Sequence, residues 1–436
     1  MPTYTLSPLG LPLAGDFKFR VTHGTVSLLG ASLSPADGWQ DFFYPLHITS
    51  LPVAFPIEPN SSIETSAPVP EIPPDHALIN APELGRARGD EKILVCGAKG
   101  AGKSTFVRHL VNAKICAGHQ VVLVDIDPGQ PERGSPGCLS YMIGNLNFQF
   151  GISDQPRHSF FYGHLSPSHD IRKFLDLLSV IGNFIREISD HHVVVNSHGW
   201  LQGLGEFSVQ CAVVHLEISS VLKISNDVAA PFWSTVDNPF LSESEISSLS
   251  DRKFRTQISD HSAKSQISAH ELRWLRLACC LRTNFRSIAH GMLLSDFFDC
   301  HFQLRLPLGV VGVLGALEAD DLTTVEVLKE ALTGTIIGLI DIENLCLGLG
   351  FIVAVSEEHC VVLVSEKIDR SAVVRAERPS FNFSPRETNF FDKAGTGLKE
   401  GVTEELYWSS EILGGLESGA RNVKNRQNLG RKRLQN

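Results

Sequence analysis

The sequence predicts an α/β protein: a central domain built on a parallel sheet, flanked by an N-terminal and a C-terminal β-rich domain. Three patterns predict it. Short apolar or alternating runs broken by Gly, Ser and Pro fill residues 17 to 50. From Lys92 to Ile126 an apolar strand, an apolar pattern at helical spacing and a second apolar strand follow one another, the βαβ order that parallel pairing requires. After Phe302 the chain returns to glycine-punctuated apolar runs.

In chain order, FKFRVTHGTVSLLGASL and WQDFFYPLHI read as a small antiparallel β unit, residues 1–50. Residues 51–90 carry Pro52, Pro56, Pro59, Pro68, Pro70, Pro73, Pro74 and Pro82; so many fixed φ angles and missing donors predict a partly extended linker. The central domain spans 91–300. KILVC (92 to 96) and QVVLVDI (120 to 126) are buried strands, and Phe106, Val107, Leu110 and Val111 mark the helix between them. HVVVN (192 to 196) and Ser220 to Ile224 are further strands, and Ile171 to Ile188 alternates at helical period. Residues 301–405 form the second β-rich domain through LGVVGVLGAL, TGTIIGLIDI, LGLGFIVAV and CVVLVSEKI. Residues 406–436 are a tail that turns basic after Glu417, with Arg421, Lys424, Arg426, Arg431, Lys432 and Arg433.

Composition narrows the function classes. The 436 residues, 43% hydrophobic and 20% charged, suffice for two or three buried cores. No run of about 18 apolar residues appears and the opening MPTYTLSPLG lacks the layout of a signal peptide, so an intracellular protein without a membrane span is expected. The formal charge of -10 means that any nucleic-acid contact uses a local basic surface. Nine cysteines without a CxxC pair fit reduced thiols. Seventeen histidines show no HExxH pattern, and His191 and His192 beside a strand read as structural or surface residues.

Gly97-Ala98-Lys99-Gly100-Ala101-Gly102-Lys103-Ser104 fits GxxxxGK[ST], after an apolar strand and opening a helix. Glycines let successive backbone N–H groups converge on phosphate oxygens, and the helix N-terminus adds a favourable dipole. Lys103 then reaches the β and γ phosphates of a nucleotide, Ser104 offers a hydroxyl to Mg²⁺, and Thr105 assists through a phosphate contact. Asp125-Ile126-Asp127-Pro128-Gly129-Gln130 follows the second strand, where a Walker B carboxylate belongs. Two carboxylates at i and i+2 face one side of a strand. One can orient the magnesium shell and the other accept a proton from an incoming hydroxyl; the alternative is that one of them caps a turn. Pro128-Gly129 turns the chain and presents Gln130.

Four stretches, GAKGAGKST (97 to 105), DIDPGQPERGSPGCLS (125 to 140), FFYGHLSPSHD (160 to 170) and VVVNSHGWLQGLG (193 to 205), resemble the eukaryotic polynucleotide 5′-hydroxyl kinases, P-loop enzymes that move the γ-phosphate of ATP to the 5′-OH of RNA. Asn196 to Gly205, CLGLGFIVAV and the basic tail resemble the branch that processes pre-ribosomal RNA in the nucleolus, in its fungal form; HGTVSLLGASL also matches. The resemblance implies ATP and Mg²⁺ at Lys103 and Ser104, Asp125 near the metal, and Asp127 as the base that activates the 5′-OH. It implies that Gln130, Asn196, Ser197, Gly199 and Trp200 hold the acceptor end. Trp200 reads equally as a base-stacking platform or a core residue. A lid arginine is implied as well, with Arg273 and Arg276 as first candidates and Arg252 and Arg255 as second; spacing of three puts the first two on one helix face, which an ordinary solvated face explains too. The implied partners are RNA with a 5′-hydroxyl end and a pre-ribosomal endonuclease, in the nucleus and nucleolus, with no membrane.

Ser197 stands where the family usually has Thr, and Arg133-Gly134 interrupt a run that is normally aromatic and apolar. Two other functions fit the same motifs: the sister kinase of tRNA splicing and mRNA 3′ end formation, and an ATP-binding scaffold without turnover. A GTPase-type switch lacks its guanine-reading NKxD element.

Overall fold

The computed structural model describes residues 1–44, 50–69, 77–79, 92–132, 134–144, 158–188, 190–225, 232–233, 238–249, 251–258, 273, 277, 302–312, 332–333, 335–364 and 368–381. The N-terminal part holds β1 (Thr3–Thr5), β2 (Leu11–Pro12), β3 (Gly15–His23), β4 (Val26–Leu28), β5 (Ala31–Leu33), β6 (Gln40–Tyr44), β7 (Ser50–Pro56), β8 (Ser62–Thr65) and β9 (Ala77–Ile79). They form two sheets, β1-β8-β3-β6 and β2-β7-β4-β5, with β9 on β7, around Leu13, Phe17, Phe19, Val26, Leu28, Leu33, Phe42 and Ile63. The β unit therefore does not stop at residue 50: β7, β8 and β9 lie inside the stretch read as a linker. Proline lacks a donor but keeps its carbonyl. Pro52 accepts from Leu13 N–H at 2.9 Å, and Pro56 ends its strand opposite Val26.

The central part runs β10 (Lys92–Gly97), α1 (Lys103–Cys116), β11 (Val121–Ile126), β12 (Cys138–Gly144), β13 (His158–Phe161), α2 (Ile171–Glu187), β14 (His192–Ser197), α3 (Leu204–His215), β15 (Ser220–Ser225), α4 (Glu243–Leu249) and β16 (Lys253–Ile258). Its sheet has the order β13-β12-β11-β14-β10-β15-β16, parallel from β11 to β16, with β12 and β13 antiparallel at one edge. Both faces are covered, which is why these strands read as unbroken apolar runs. Ile93, Val95, Val121, Leu123 and Val194 pack on α1, whereas Leu94, Val122, Val124, Val193 and Val195 pack on α2 and α3. In α2, Phe174, Leu178, Ile181 and Ile185 recur on one face and are fully buried, each contributing about 1.5–3 kcal/mol. Asp170 caps that helix, accepting from Lys173 N–H at 3.0 Å.

The C-terminal part adds β17 (Phe302–Pro307), β18 (Val311–Gly312), β19 (Ile336–Ile340), β20 (Cys346–Val355), β21 (His359–Val364) and β22 (Arg375–Glu377), in the order β17-β21-β20-β19-β22-β18. It meets the central part along β13, where Cys138 and Phe161 share a core with Ile336, Ile340, Leu349 and Phe351. The four apolar runs read as strands fall on β18 to β21; β17 and β22 lie outside them. The basic tail, residues 406–436, lies outside the described residues. Among the described residues no helix is long and apolar enough to cross a membrane. The six described cysteines are unbridged. His192 receives Lys114 Nζ at 2.9 Å and stacks on His119 at 4.0 Å, a packing role.

The β4–β5 hairpin fixes where the N-terminal part sits. Leu29 and Gly30, at φ 47° and 82°, form its two-residue turn, of the kind that suits the strand twist. Leu29 O accepts from Asn112 Nδ2 at 2.8 Å on α1. α1 is thus covered on both sides, which explains its buried Arg108, His109, Asn112 and Lys114. His109 is 2% exposed, and neither ring nitrogen has a hydrogen-bond partner. Burial, helped by the Arg108 charge, pushes its pKa down to about 3. The unfolded chain takes up this proton near pH 6.5 and the folded one does not, so between those values stability falls as pH falls, by about 1.4 kcal/mol per pH unit. The His109→Leu variant is expected to lose that part of the slope in urea unfolding between pH 6.5 and 5; parallel slopes in the two proteins would refute this origin.

Candidate active site

The carboxyl ends of β10, β11 and β14 meet where the strand order doubles back, the usual place for a ligand in an open α/β sheet. Here the loop 97–102 leaves β10 and feeds α1. Gly102, at φ 90°, is the N-cap of α1, a left-handed position that a side chain would strain. Ala98, Lys99 and Gly100 are exposed, Ala101 and Gly102 half-buried, and Ser104 and Thr105 half-buried in the first turn of α1. Lys103 is 7% exposed and donates from Nζ to Ala98 O at 3.1 Å, folded back over the loop. Burial lowers its pKa; the charges of Asp127, Cys96 and Asp125 oppose that, Asp127 most. Lysine and Asp127 are thus electrostatic neighbours.

The two aspartates differ. Asp125 ends its side of β11 opposite Asn196 on β14 and is 1% exposed. Its Oδ1 accepts from Asp127 N–H at 3.0 Å, its Oδ2 from Glu132 N–H, and both from Asn196 Nδ2 at 3.3 Å. Burial and then the nearby Asp127 push its pKa up to about 7, against these donors. Glu132 in turn forms a buried pair with Arg108, whose Nε lies 2.7 Å from Oε1, so α1 and the 127–132 turn are tied together. Asp127 is half-buried, and its Oδ1 accepts from Gly129 N–H at 2.9 Å and Gln130 N–H at 3.0 Å. The turn-capping residue is therefore Asp127, through one oxygen, while Asp125 anchors the loop from beneath. Gln130 is half-buried beside them.

The segment after β14 closes the other side. A Cβ on Gly199 would lie 2.9 Å from Lys99 N and 3.2 Å from Lys103 Nζ, so only glycine lets this segment lie on the phosphate loop. Asn196 and Ser197 are fully buried, and Ser197 Oγ bonds His198 O at 3.1 Å. Asn196 Oδ1 is a buried acceptor with no donor. Trp200 is half-buried, its ring packed on Gly205 at the start of α3.

His198, which the motif reading passed over, sits beneath this turn at 3% exposure. Its Nδ1 accepts from Trp200 N–H at 3.3 Å, so Nε2 carries the proton and donates to Ser208 Oγ at 2.8 Å, which donates to Gly205 O at 2.8 Å. Burial and the Lys103 charge push its pKa down to about 3, which keeps it neutral. Nothing in spacing marks it; its role arises from contacts with α3.

Of the lid candidates, Arg273 is helical and Arg276 lies outside the described residues. Arg255 belongs to β16, paired with Leu222 on β15, and Arg252 immediately precedes that strand.

Residues 97–261 match the family model described as the mRNA cleavage and polyadenylation factor CLP1 P-loop. The match falls on the central sheet and its phosphate loop and covers less than half of the chain. The chain is homologous to polynucleotide 5′-hydroxyl kinases: it is 34% identical over 142 residues to NOL9 of Danio rerio, covering 31% of this chain and 19% of that protein. It is 24% identical over 412 residues to GRC3 of Gibberella zeae, covering 76% and 56%. The chain thus spans from about a fifth to somewhat over half of these curated relatives. A Clp1p–Pcf11p complex superposes with a TM-score of 0.57 over 87% of this chain and 98% of that one, at 12% identity, a likeness of fold.

Proposed function

We propose that the chain is an ATP-dependent polynucleotide 5′-hydroxyl kinase that moves the γ-phosphate of ATP to the 5′-OH of RNA. One observation carries the reading: a half-buried second carboxylate, Asp127, beside the phosphate-loop lysine, Lys103. A pure nucleotide hydrolase has no need of a base for an alcohol. The names of the homologues, polynucleotide 5′-hydroxyl-kinases, support it.

The residues fit a nucleotide with magnesium. Residues 97–102 offer backbone N–H groups at a helix N-terminus, Lys103 reaches over them, and Asn196 Oδ1 waits as a buried acceptor without a donor. Ser104 would hold the ion, and Asp125, already engaged by four N–H contacts, would support its shell through Asn196. Magnesium supplies charge neutralisation at the phosphate oxygens. Lys103 steadies the charge that grows during transfer, with Arg273 as the lid candidate. Asp127 takes the proton of the 5′-OH, held about 3 Å from the phosphorus and in line. Gln130, Gly199 and Trp200 border the acceptor, and Asn196, Ser197 and His198 shape that border from below.

By resemblance, the setting is pre-ribosomal RNA processing in the nucleolus, beside the endonuclease that leaves a 5′-hydroxyl end. The test is incubation of the full chain with γ-labelled ATP and a 5′-hydroxyl oligoribonucleotide. Label is expected on that RNA and not on its 5′-phosphorylated form; ATP binding without transfer, even alongside that endonuclease, would leave a scaffold instead.

A further inference from the structure

The residues from Glu377 to Phe381 end β22 and run from the C-terminal sheet along the central part, meeting it at three successive places. Glu377 Oε2 takes Lys173 Nζ at 2.9 Å in the first turn of α2. Ser380 N–H donates to Gly163 O at 2.8 Å. A Cβ on Gly137 would lie 2.7 and 2.8 Å from Cε1 and Cζ of Phe381, so the edge of that ring rests on bare backbone. Phe381 also packs on the core that Cys138, Phe161, Ile336 and Phe351 share.

Gly137 and Gly163 belong to the two loops that border the Asp127 carboxylate. Gly137 N–H donates to Pro128 O at 2.7 Å, which closes the 128–137 turn one residue after Asp127. Gly137 O accepts from Tyr162 and Gly163 N–H at 2.9 and 2.8 Å, joining that turn to the 163–170 loop. This loop is wound round the buried Tyr162 hydroxyl, which accepts from Asp170 N–H at 3.1 Å and lies 3.1 Å from Ser166 O. Its Leu165 O comes back to the turn: a Cβ on Gly129 would lie 2.6 Å from Leu165 O and 3.4 Å from Asp127 Oδ1. Glu132 fixes the turn from beneath, through Asp125 and Arg108. At its far end, where Gly137 has no side chain, Phe381 supplies the packing.

We infer that Phe381 is a positioning residue for phosphate transfer: its ring clamps the 128–137 turn and so holds the Asp127 carboxylate where an incoming hydroxyl meets it. The inference rests on the kinase reading, which makes Asp127 the base. Phe381 acts through Gly137 and Pro128, not by touching the reacting atoms. An in-line transfer loses about 10²-fold when a reacting group is misplaced by about 1 Å, so a clamp at this distance bears on kcat. The three contacts fall on the turn, the neighbouring loop and α2, not on residues 97–102, so the clamp serves the acceptor side and not ATP binding.

The test uses the full chain, a 5′-hydroxyl oligoribonucleotide and the variants Phe381→Ala, Phe381→Leu and Glu377→Gln, well below their melting temperatures. Single-turnover transfer, ATP titration and amide hydrogen exchange are measured on each. Phe381→Ala is expected to lower kcat by about 10–10²-fold with Kd for ATP unchanged. Exchange is expected to quicken at Gly129 and Gln130, the donors to Asp127 Oδ1, and not at residues 97–102. Phe381→Leu, which keeps an apolar contact at Gly137, restores most of kcat. Glu377→Gln loosens the other end of the strap without opening a cavity and lowers kcat about two- to fivefold, which keeps the test intact if Phe381→Ala does not fold. Unchanged kcat in a folded Phe381→Ala protein overturns the clamp and leaves the kinase standing. Equal losses of ATP affinity and transfer, or unaltered exchange at Gly129 and Gln130, also overturn it. If the native chain transfers nothing while Phe381→Ala still quickens that exchange, the clamp stands and the kinase reading falls.

Discussion

Asp127→Asn is expected to lower phosphate transfer to 5′-hydroxyl RNA by about 10²–10⁴-fold, the usual weight of a general base. Asparagine is the informative replacement. Its amide oxygen can accept the same N–H groups of Gly129 and Gln130 that Asp127 Oδ1 accepts at 2.9 and 3.0 Å, so the turn survives and the charge alone is lost. Removing the Asp127 charge also removes its repulsion of the ATP phosphates, so ATP affinity is expected to stay equal or rise slightly. The check is single-turnover transfer beside nucleotide titration. Wild-type rates in the variant would remove Asp127 from the chemistry.

Lys103→Met is expected to reduce transfer by at least about 10²–10³-fold, the scale of one lost electrostatic contact in a preorganised site, and to weaken ATP binding as well. Lys103 is 7% exposed, with its Nζ close to Gly199, so methionine keeps volume where alanine would leave a void. The two variants therefore separate: Asp127→Asn impairs transfer with nucleotide bound, and Lys103→Met impairs both. Measuring ATP affinity by calorimetry and transfer by label distinguishes these patterns; transfer persisting in Lys103→Met would reject the phosphate loop as the site.

Much of this site is written locally. The loop 97–104 announces itself because its chemistry depends on glycines at fixed spacing before a helix, and the apolar runs of β10, β11 and β14 stand out because both sheet faces are buried. Relations across the sheet are not written that way. That Asp125 faces Asn196, 71 positions away, follows from strand register, and so does the loss of its oxygens to N–H donors. The sequence pattern therefore marks two carboxylates without saying which one is sealed. His198 is similar: one residue of a motif stretch, given its tautomer by Ser208 on a different element.

The misread linker has another cause. Counting prolines measures missing donors, whereas β7 uses its carbonyls and places Pro56 at the strand end. The strands β12 and β13 and the short β22 carry little local signal, because tertiary pairing with β11, with each other and with β19 defines them.

The central claim, that a carboxylate beside the phosphate loop readies an RNA 5′-hydroxyl for the terminal phosphate of ATP, is tested most directly by locating the transferred label. After reaction with γ-labelled ATP, complete nuclease digestion of the RNA is expected to release the label solely on the 5′-terminal nucleotide. Label found only as inorganic phosphate, or on the protein itself, would contradict it.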